Sequence, residues 1–397
     1  MTSLLRPGAH RAAGVADDEA ILASMLRVEA AWSQAAVEAG VFPADALLAP
    51  IELTAADREA LARDAEAGGN PVIPLVALLR DRQRGEAARW LHRGLTSQDV
   101  VDTALMLCAA RARARVLTAI GRQVEVLVGL VERHRACPAL ARTLTQPAVP
   151  TVLGLRFAGW LHGLLDAADD LAALRLPAQF GGAAGTGAAL TELAGDPTTA
   201  LAVTDRAARL LDLDPARPWH TTRRPITRIG DALVACTDAF GHVAGDVLLG
   251  SRAEIGELAE VVGGGSSTMP GKANPVLATL VRAAALAAPA AAATLHAAAA
   301  DAVDERTPGG WHAEWPALAD LLTRTVVAAD QTADLLAGLV VHPERAAAHL
   351  AAADGVRAEQ AAMAALCGAA PAEEYLGTAA FQIDAALARA AAFEVAR

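Results

Sequence analysis

Three short polar stretches interrupt an otherwise apolar chain, and each carries residues able to do chemistry. The richest is Gly263-Gly264-Gly265-Ser266-Ser267-Thr268-Met269-Pro270-Gly271-Lys272-Ala273-Asn274-Pro275. Three glycines give the first half freedom to move, and two prolines stiffen the second. A mobile half with two hydroxyls and a rigid half presenting Lys272 and Asn274 describes a closing loop with a fixed anion clamp. A plain linker is the competing reading, but linkers rarely alternate in this way. The second stretch is His92-Arg93-Gly94-Leu95-Thr96-Ser97-Gln98-Asp99. Thr96 with Asp99 three residues on fits a helix cap. The same free N–H groups, with two hydroxyls, His92 and Arg93, also suit an anion. Alone, the cap is the better reading. The third, Arg142-Thr143-Leu144-Thr145-Gln146-Pro147, reads alone as an ordinary polar loop between two helices.

The elements that must position these loops are helical. Of 397 residues, 54% are hydrophobic and only 3% aromatic, with mean hydropathy +0.31. The core must therefore be built from Ala, Leu and Val, whose small volume and helix propensity favour close-packed helices. A long helix is predicted from near Ser97 to about His134, striped by Val101, Leu105, Cys108, Val116, Ile120, Val124, Leu127 and Val131. That is about 55 Å of helix at 1.5 Å per residue. Further helices are expected over 152–174, over 226–261, where no proline intervenes, and after Pro275 with a kink at Pro289. No convincing strand alternation is visible. The expected architecture is all-α, with an N-terminal helical domain (1–95), a central long-helix bundle (96–335) and a small C-terminal helical domain (336–397). Helices this long usually need partners beyond their own chain, so a homo-oligomer is expected.

Composition also excludes. A formal charge of −11 argues against nucleic acid and against an anionic membrane surface. A small anionic substrate needs only local cations and stays compatible. Cys108, Cys137, Cys236 and Cys367 are scattered, without ligand or disulfide spacing, so no metal is expected. No cofactor-binding pattern is present either. The first twenty residues lack a secretory apolar core. The Ala-rich run 283–303 is only weakly apolar and holds Pro289, His296 and Asp301, so a buried bundle helix is expected rather than a membrane span. A cytoplasmic protein follows.

The serine stretch resembles the fumarase/aspartase superfamily pattern GSSxMPxKxNP, matched at each specified position from Gly265 to Pro275. The other two stretches resemble that superfamily's remaining active-site segments, TSQD and RTxxQ. A finer resemblance is to the bacterial 3-carboxy-cis,cis-muconate cycloisomerases, carried by TSQDVVDT (96–103), QFGGAAGT (179–186), PWHT with Arg223 (218–223), WHAEW (311–315) and Tyr375-Leu376-Gly377. The resemblance implies a homotetramer with active sites shared between subunits and a small polycarboxylate substrate. It implies Ser266 as the base that removes a proton alpha to a carboxylate, with Lys272 stabilising the dianion that forms. His92, Arg93, Thr96, Ser97, Thr143, Gln146, Arg223, Ser267, Met269 and Asn274 would bind substrate, and His312 and Glu314 could line the pocket.

Departures from the family pattern carry information. Many relatives place a histidine acid two residues before the Gln of the RTxxQ segment, where this chain has Leu144. Its usual partner is a Glu seven residues after the motif Lys, where this chain has Thr279. An amine or hydroxide leaves poorly without a proton, whereas a carboxylate or other stable anion needs none. The absent pair therefore favours an intramolecular carboxylate nucleophile, that is, the cycloisomerase, over amine or water elimination. A lyase expelling another stable anion such as nitrite fits the same absence, and a silent oligomeric scaffold is the reading outside catalysis. Gly271-Lys272-Ala273 stands where the muconate enzymes are expected to have His-Lys-Arg, which removes two cations from the loop.

Overall fold

The computed structural model describes residues 4–393, and among them it is all-α: fourteen α-helices and four short strands. In chain order these are α1 (Asp18–Glu38), α2 (Ala55–Gly68), α3 (Val72–Arg82), α4 (Gly85–Trp90), α5 (Ser97–Arg133), β1 (Pro138–Thr143), β2 (Gln146–Val152), α6 (Leu153–Ala172), α7 (Ala188–Ala194) and α8 (Pro197–Leu210). They continue with α9 (Arg224–Gly250), β3 (Leu258–Glu260), α10 (Val276–Ala300), α11 (Gly310–Ala337), β4 (Leu339–Val341), α12 (Pro343–Ala352), α13 (Ala358–Leu366) and α14 (Ala379–Ala391).

The long helix predicted from Ser97 is α5, 37 residues long, and all eight residues of its expected stripe are buried. Helix starts follow local chemistry. Asp17 caps α1 through Ala20 N–H, Thr54 and Asp57 form a complete capping box on α2, and Asp196 caps α8 ahead of Pro197. Small residues let helices approach: a Cβ added at Gly241 of α9 would stand 2.6 Å from the Cβ of Ala285 on α10.

Three expectations need correction. The helix predicted over 226–261 ends at Gly250. Ser251 Oγ donates back to Leu248 O, Gly256 takes φ 60°, and the chain then extends into β3, which pairs antiparallel with β4. Lack of proline was a poor guide there, because a helix also ends where the following chain pairs elsewhere, here β3 with β4. The stretch around Thr143 is a β-hairpin rather than a plain loop: β1 pairs with β2, Arg142 opposite Pro147 and Thr143 opposite Gln146. Leu144 (φ 49°) and Thr145 (φ 70°) form its two-residue turn, in the twist such hairpins prefer. Pro138, Pro147 and Pro150 hide the strand pattern, and edge strands tolerate them. Finally, α10 buries a face through Ala278, Val281, Ala288, Ala292 and Leu295, but only 28% of its most apolar window is covered within one chain, and Leu286 is 73% exposed. α9 and α10 are both long and apolar enough to cross a membrane by length and composition alone. Pro289 sits inside a continuous α10.

The chain forms two compact units, each drawn from three stretches. The first comprises residues up to Arg113, Leu174–Asp231 and Ala290–Arg324. The second comprises Ala114–Ala173, Ala232–Pro289 and everything from Thr325. In the first, α1 packs on α8, and α2 on α3. In the second, α14 packs on α6 and α12 on β1, over a core that includes Phe157, Trp160 and Phe240. α5, α9, α10 and α11 contribute residues to both.

Candidate active site

In the second unit, the serine stretch is a loop closed at its neck. Gly264 and Asn274 exchange two backbone hydrogen bonds of 2.8 Å, and Asn274 Nδ2 donates to Gly265 O at 3.2 Å. A side chain at Gly264 would collide with Val276, so the neck requires glycine. Glu260 at the end of β3 accepts from Leu277 N–H (3.2 Å) and Ala278 N–H (2.9 Å), capping α10 immediately after the loop. The sequence predicts a flexible half and a rigid half, and the geometry adds the anchor between them.

The two serines are not equivalent. Ser266 Oγ accepts N–H from Met269 (3.0 Å) and Thr268 (3.3 Å), whereas Ser267 is exposed and makes no side-chain hydrogen bond among the described residues. Two N–H donors on one hydroxyl oxygen favour negative charge there, which is what a serine base needs. Lys272 is exposed and has no ion-pair partner among the described residues; Met269 is half exposed. Thr143 and Gln146 sit exposed at the hairpin tip, where Gln146 Nε2 donates to Thr145 Oγ1 at 3.4 Å. No hydrogen bond joins this tip to the serine loop among the described residues.

A buried carboxylate that the sequence did not single out anchors the hairpin. Glu257, just before β3, is 0% exposed and meets Arg142 Nη2 at 2.7 Å, His349 Nδ1 at 2.8 Å and Arg156 Nη1 at 3.3 Å. Burial alone would raise its carboxyl. Hydrogen bonds from Arg142 and His349 and the charges of Arg142 and Arg156 outweigh that and hold it below the ordinary value. The strand feeding the serine loop and the strand carrying Thr143 thus share one anchor.

In the first unit, the start of α5 is fixed from several sides. Asp99 Oδ2 accepts Thr96 N–H at 2.9 Å, half of the expected cap; Thr96 Oγ1 is taken instead by Arg306 Nη2 at 2.7 Å. Arg306 is a cation beside the predicted anion site that the sequence reading missed. Asp99 also accepts from Gly181 N–H and Gly182 N–H (both 2.9 Å) and from Gln179 Nε2 (3.1 Å), and lies 3.2 Å from His220 Nε2. A Cβ at Gly181 would come within 2.6 Å of the His220 ring, so only glycine fits. Ser97 opens α5. Arg93 is exposed, with Nε donating to Arg89 O. His92, at φ 62°, pairs with Glu29.

One turn further along α5, Asp102 faces Arg223. The guanidinium is 3% exposed and all its donors are used: Nη1 and Nη2 reach Asp102 at 2.7 and 3.0 Å, and Nη2 and Nε reach Glu314 at 2.7 and 3.1 Å. It stacks 4.8 Å over the Trp219 ring. Burial opposes its charge, but Asp102 and Glu314 outweigh that and keep it firmly protonated. Burial, reinforced by Asp102, pushes the Glu314 carboxyl up against the pull of Arg223. Arg223 is thus no solvated surface charge, the alternative its sequence context also allows, and no donor is left over for a substrate anion in this arrangement. Trp311 Nε1 donates to Asp102 at 2.9 Å, and His312 Nε2 lies 2.9 Å from Gly69 O. The stretches TSQDVVDT, QFGGAAGT, PWHT and WHAEW therefore meet in one buried network. The signal in the sequence was four matched stretches whose polar residues were read toward a substrate rather than toward one another.

Long close-packed helices, a glycine-necked loop with an N–H-supported serine, and a nearby lysine define a lyase of the fumarase/aspartase type. The chain belongs to that family: residues 16–289 match the family described as lyase. It is 42% identical to a nitrosuccinate lyase of Streptomyces davaonensis over 88% of this chain and 76% of that protein. It is 40% identical to a 3-carboxy-cis,cis-muconate cycloisomerase of Bradyrhizobium diazoefficiens over 90% of this chain and 80% of that protein. Among solved structures, it is similar to the 3-carboxy-cis,cis-muconate lactonizing enzyme of Pseudomonas putida, with TM-score 0.81 and 28% identity over 95% and 96% of the two chains. Among the described residues, no group of three or more His, Cys, Asp or Glu side chains is placed to hold a metal.

Proposed function

We propose that this enzyme eliminates a stable anion from a substituted succinate, the favoured case being nitrite from 2-nitrosuccinate to leave fumarate. Ser266 removes the proton alpha to one carboxylate. Lys272 holds that carboxylate as it takes up charge, and the nitro group departs from the neighbouring carbon. Nitrite is already a stable anion and needs no acid, which suits Leu144 and Thr279 at the positions of the missing acid pair. The observation that carries the choice is the loss of cations from the serine loop and from Arg223. Lys272 is the only basic residue of the serine loop, and Arg223 is spent on Asp102 and Glu314. A dicarboxylate asks less of such a site than a tricarboxylate.

The cycloisomerase expected from sequence is the second reading, favoured by the four network-forming stretches. Incubation with 2-nitrosuccinate, read as nitrite release and fumarate absorbance, and with 3-carboxy-cis,cis-muconate, read as loss of diene absorbance, separates them. Nitrite release carries the first reading and diene loss without nitrite the second; neither signal removes both. On either reading we take the active form to be a cytoplasmic homotetramer whose sites draw His92, Arg93, Thr96 and Ser97 together with Thr143, Gln146, Ser267, Met269 and Asn274 from different copies. The exposed apolar face of α10 supports this, and a monomer by light scattering that retains full activity would refute it.

A further inference from the structure

His92 holds a backbone conformation, φ 62°, that side chains with a Cβ rarely adopt. Helix α1 holds it there. Glu29 and Trp32 are three residues apart and so share a face of α1. Trp32 Nε1 donates to Arg93 O at 2.8 Å, and Glu29 Oε1 lies 2.6 Å from His92 Nδ1. Trp32 also bounds the space beside Gly94, where an added Cβ would come within 3.2 Å of its ring.

The Glu29 side chain is 1% exposed, and its second oxygen, Oε2, is buried without a hydrogen-bond partner among the described residues. An unsatisfied oxygen of a buried carboxylate is costly, and a fold that needed only packing there would be served as well by an apolar residue. An ionised carboxylate can only accept, so opposite an ionised Glu29 it is Nδ1 of His92 that would carry the proton. The ring is then fixed, and Nε2, which has no partner among the described residues, is the atom left to act.

We propose that Glu29 is a positioning residue of the active site: from inside α1 it sets the ring orientation and proton placement of His92, so that Nε2 is presented to the substrate. This rests on the functional reading above, which places His92 among the substrate-binding residues.

The test uses the whole enzyme with 15N-labelled histidine, His92→Gln to assign the signal, and Glu29→Gln. The amide of Gln donates or accepts, so it no longer dictates which nitrogen bears the proton. Wild type is expected to show a protonated Nδ1 on His92, and Glu29→Gln to lose that signature. KM should rise about tenfold in Glu29→Gln, with a smaller change in kcat, and Glu29→Gln/His92→Gln should be no worse than His92→Gln alone. An unchanged His92 spectrum, or fully additive effects in the double variant, would overturn the proposal. If Glu29→Gln folds poorly, Glu29→Asp, which keeps the charge but is one methylene short of the ring, gives the same reading. The spectrum decides the positioning role whatever the substrate; wild-type inactivity on both acids would overturn the functional reading instead.

Discussion

The buried network of the first unit and the serine loop of the second solve opposite problems. Around Asp99, Asp102 and Arg223, nearly every polar atom has a partner from another segment, and the residues are almost fully buried. The serine loop makes its side-chain hydrogen bonds to itself, at Ser266 and Asn274, and most of it faces out. A satisfied ionic network in a low-dielectric interior fixes geometry and tolerates no loss of a partner. A loop fastened only at its neck can close over a substrate and reopen. Rigidity and mobility are thus kept apart: the most conspicuous ionic cluster is buried and fully partnered, and the proposed base, Ser266, sits where little else depends on it.

Substitutions should divide along this line. Ser266→Ala should lower kcat about 10²–10⁴-fold, the usual worth of a proton-transfer group, while leaving the unfolding midpoint unchanged. If Ser267→Ala proves the more damaging of the two in the same assay, the base is misassigned. Arg223→Ala should do the reverse in kind: it strands Asp102 and Glu314 in the interior and should cost about 3–5 kcal/mol in urea unfolding. Unchanged stability with lost activity would move Arg223 from scaffold to substrate clamp and break the comparison. Lys272→Ala should reduce kcat/KM about 10–100-fold through both KM and kcat, since its charge would meet the substrate carboxylate and, more strongly, the dianion developing in the transition state; circular dichroism should be unchanged.

The smallest effect expected is at the anchor between the hairpin and β3. The Glu257 carboxyl is held below its ordinary value in the folded protein. Its contribution to stability is therefore fully present above the unfolded value of about 4.3 and is lost as pH falls through the lower folded value. Glu257→Gln should flatten that acid limb in a thermal-melt series from neutral pH downward. An identical pH profile in both proteins would show that the cluster contributes nothing through charge.

The long helix from Ser97 was legible because its apolar residues recur at helical spacing and all of them are buried. The serine loop was legible because glycine, serine, lysine and proline stand adjacent in the chain, so the constraints on the backbone and the chemistry share one short stretch. The hairpin at Thr143 was not, because three prolines mask its alternation and its turn uses Leu144 and Thr145 instead of glycine. The end of α9 at Gly250 was not, because a glycine ends a helix only when neighbours supply something better than the next turn, here pairing of β3 with β4.

Sequence alone therefore determined the helical class and the family, and it nominated Ser266 as the base, since each depends on residues close in the chain. Only the tertiary structure decided what the charged residues do. Arg223 could be a substrate clamp or a solvated surface charge until Asp102, 121 positions away, and Glu314, 91 away, were seen on its two edges. Glu257 and Glu29 looked like any acidic residue of a helical protein until Arg142 and His92 met them. An ionic side chain's role is set by which charges share its low-dielectric surroundings, and that proximity is created by the fold.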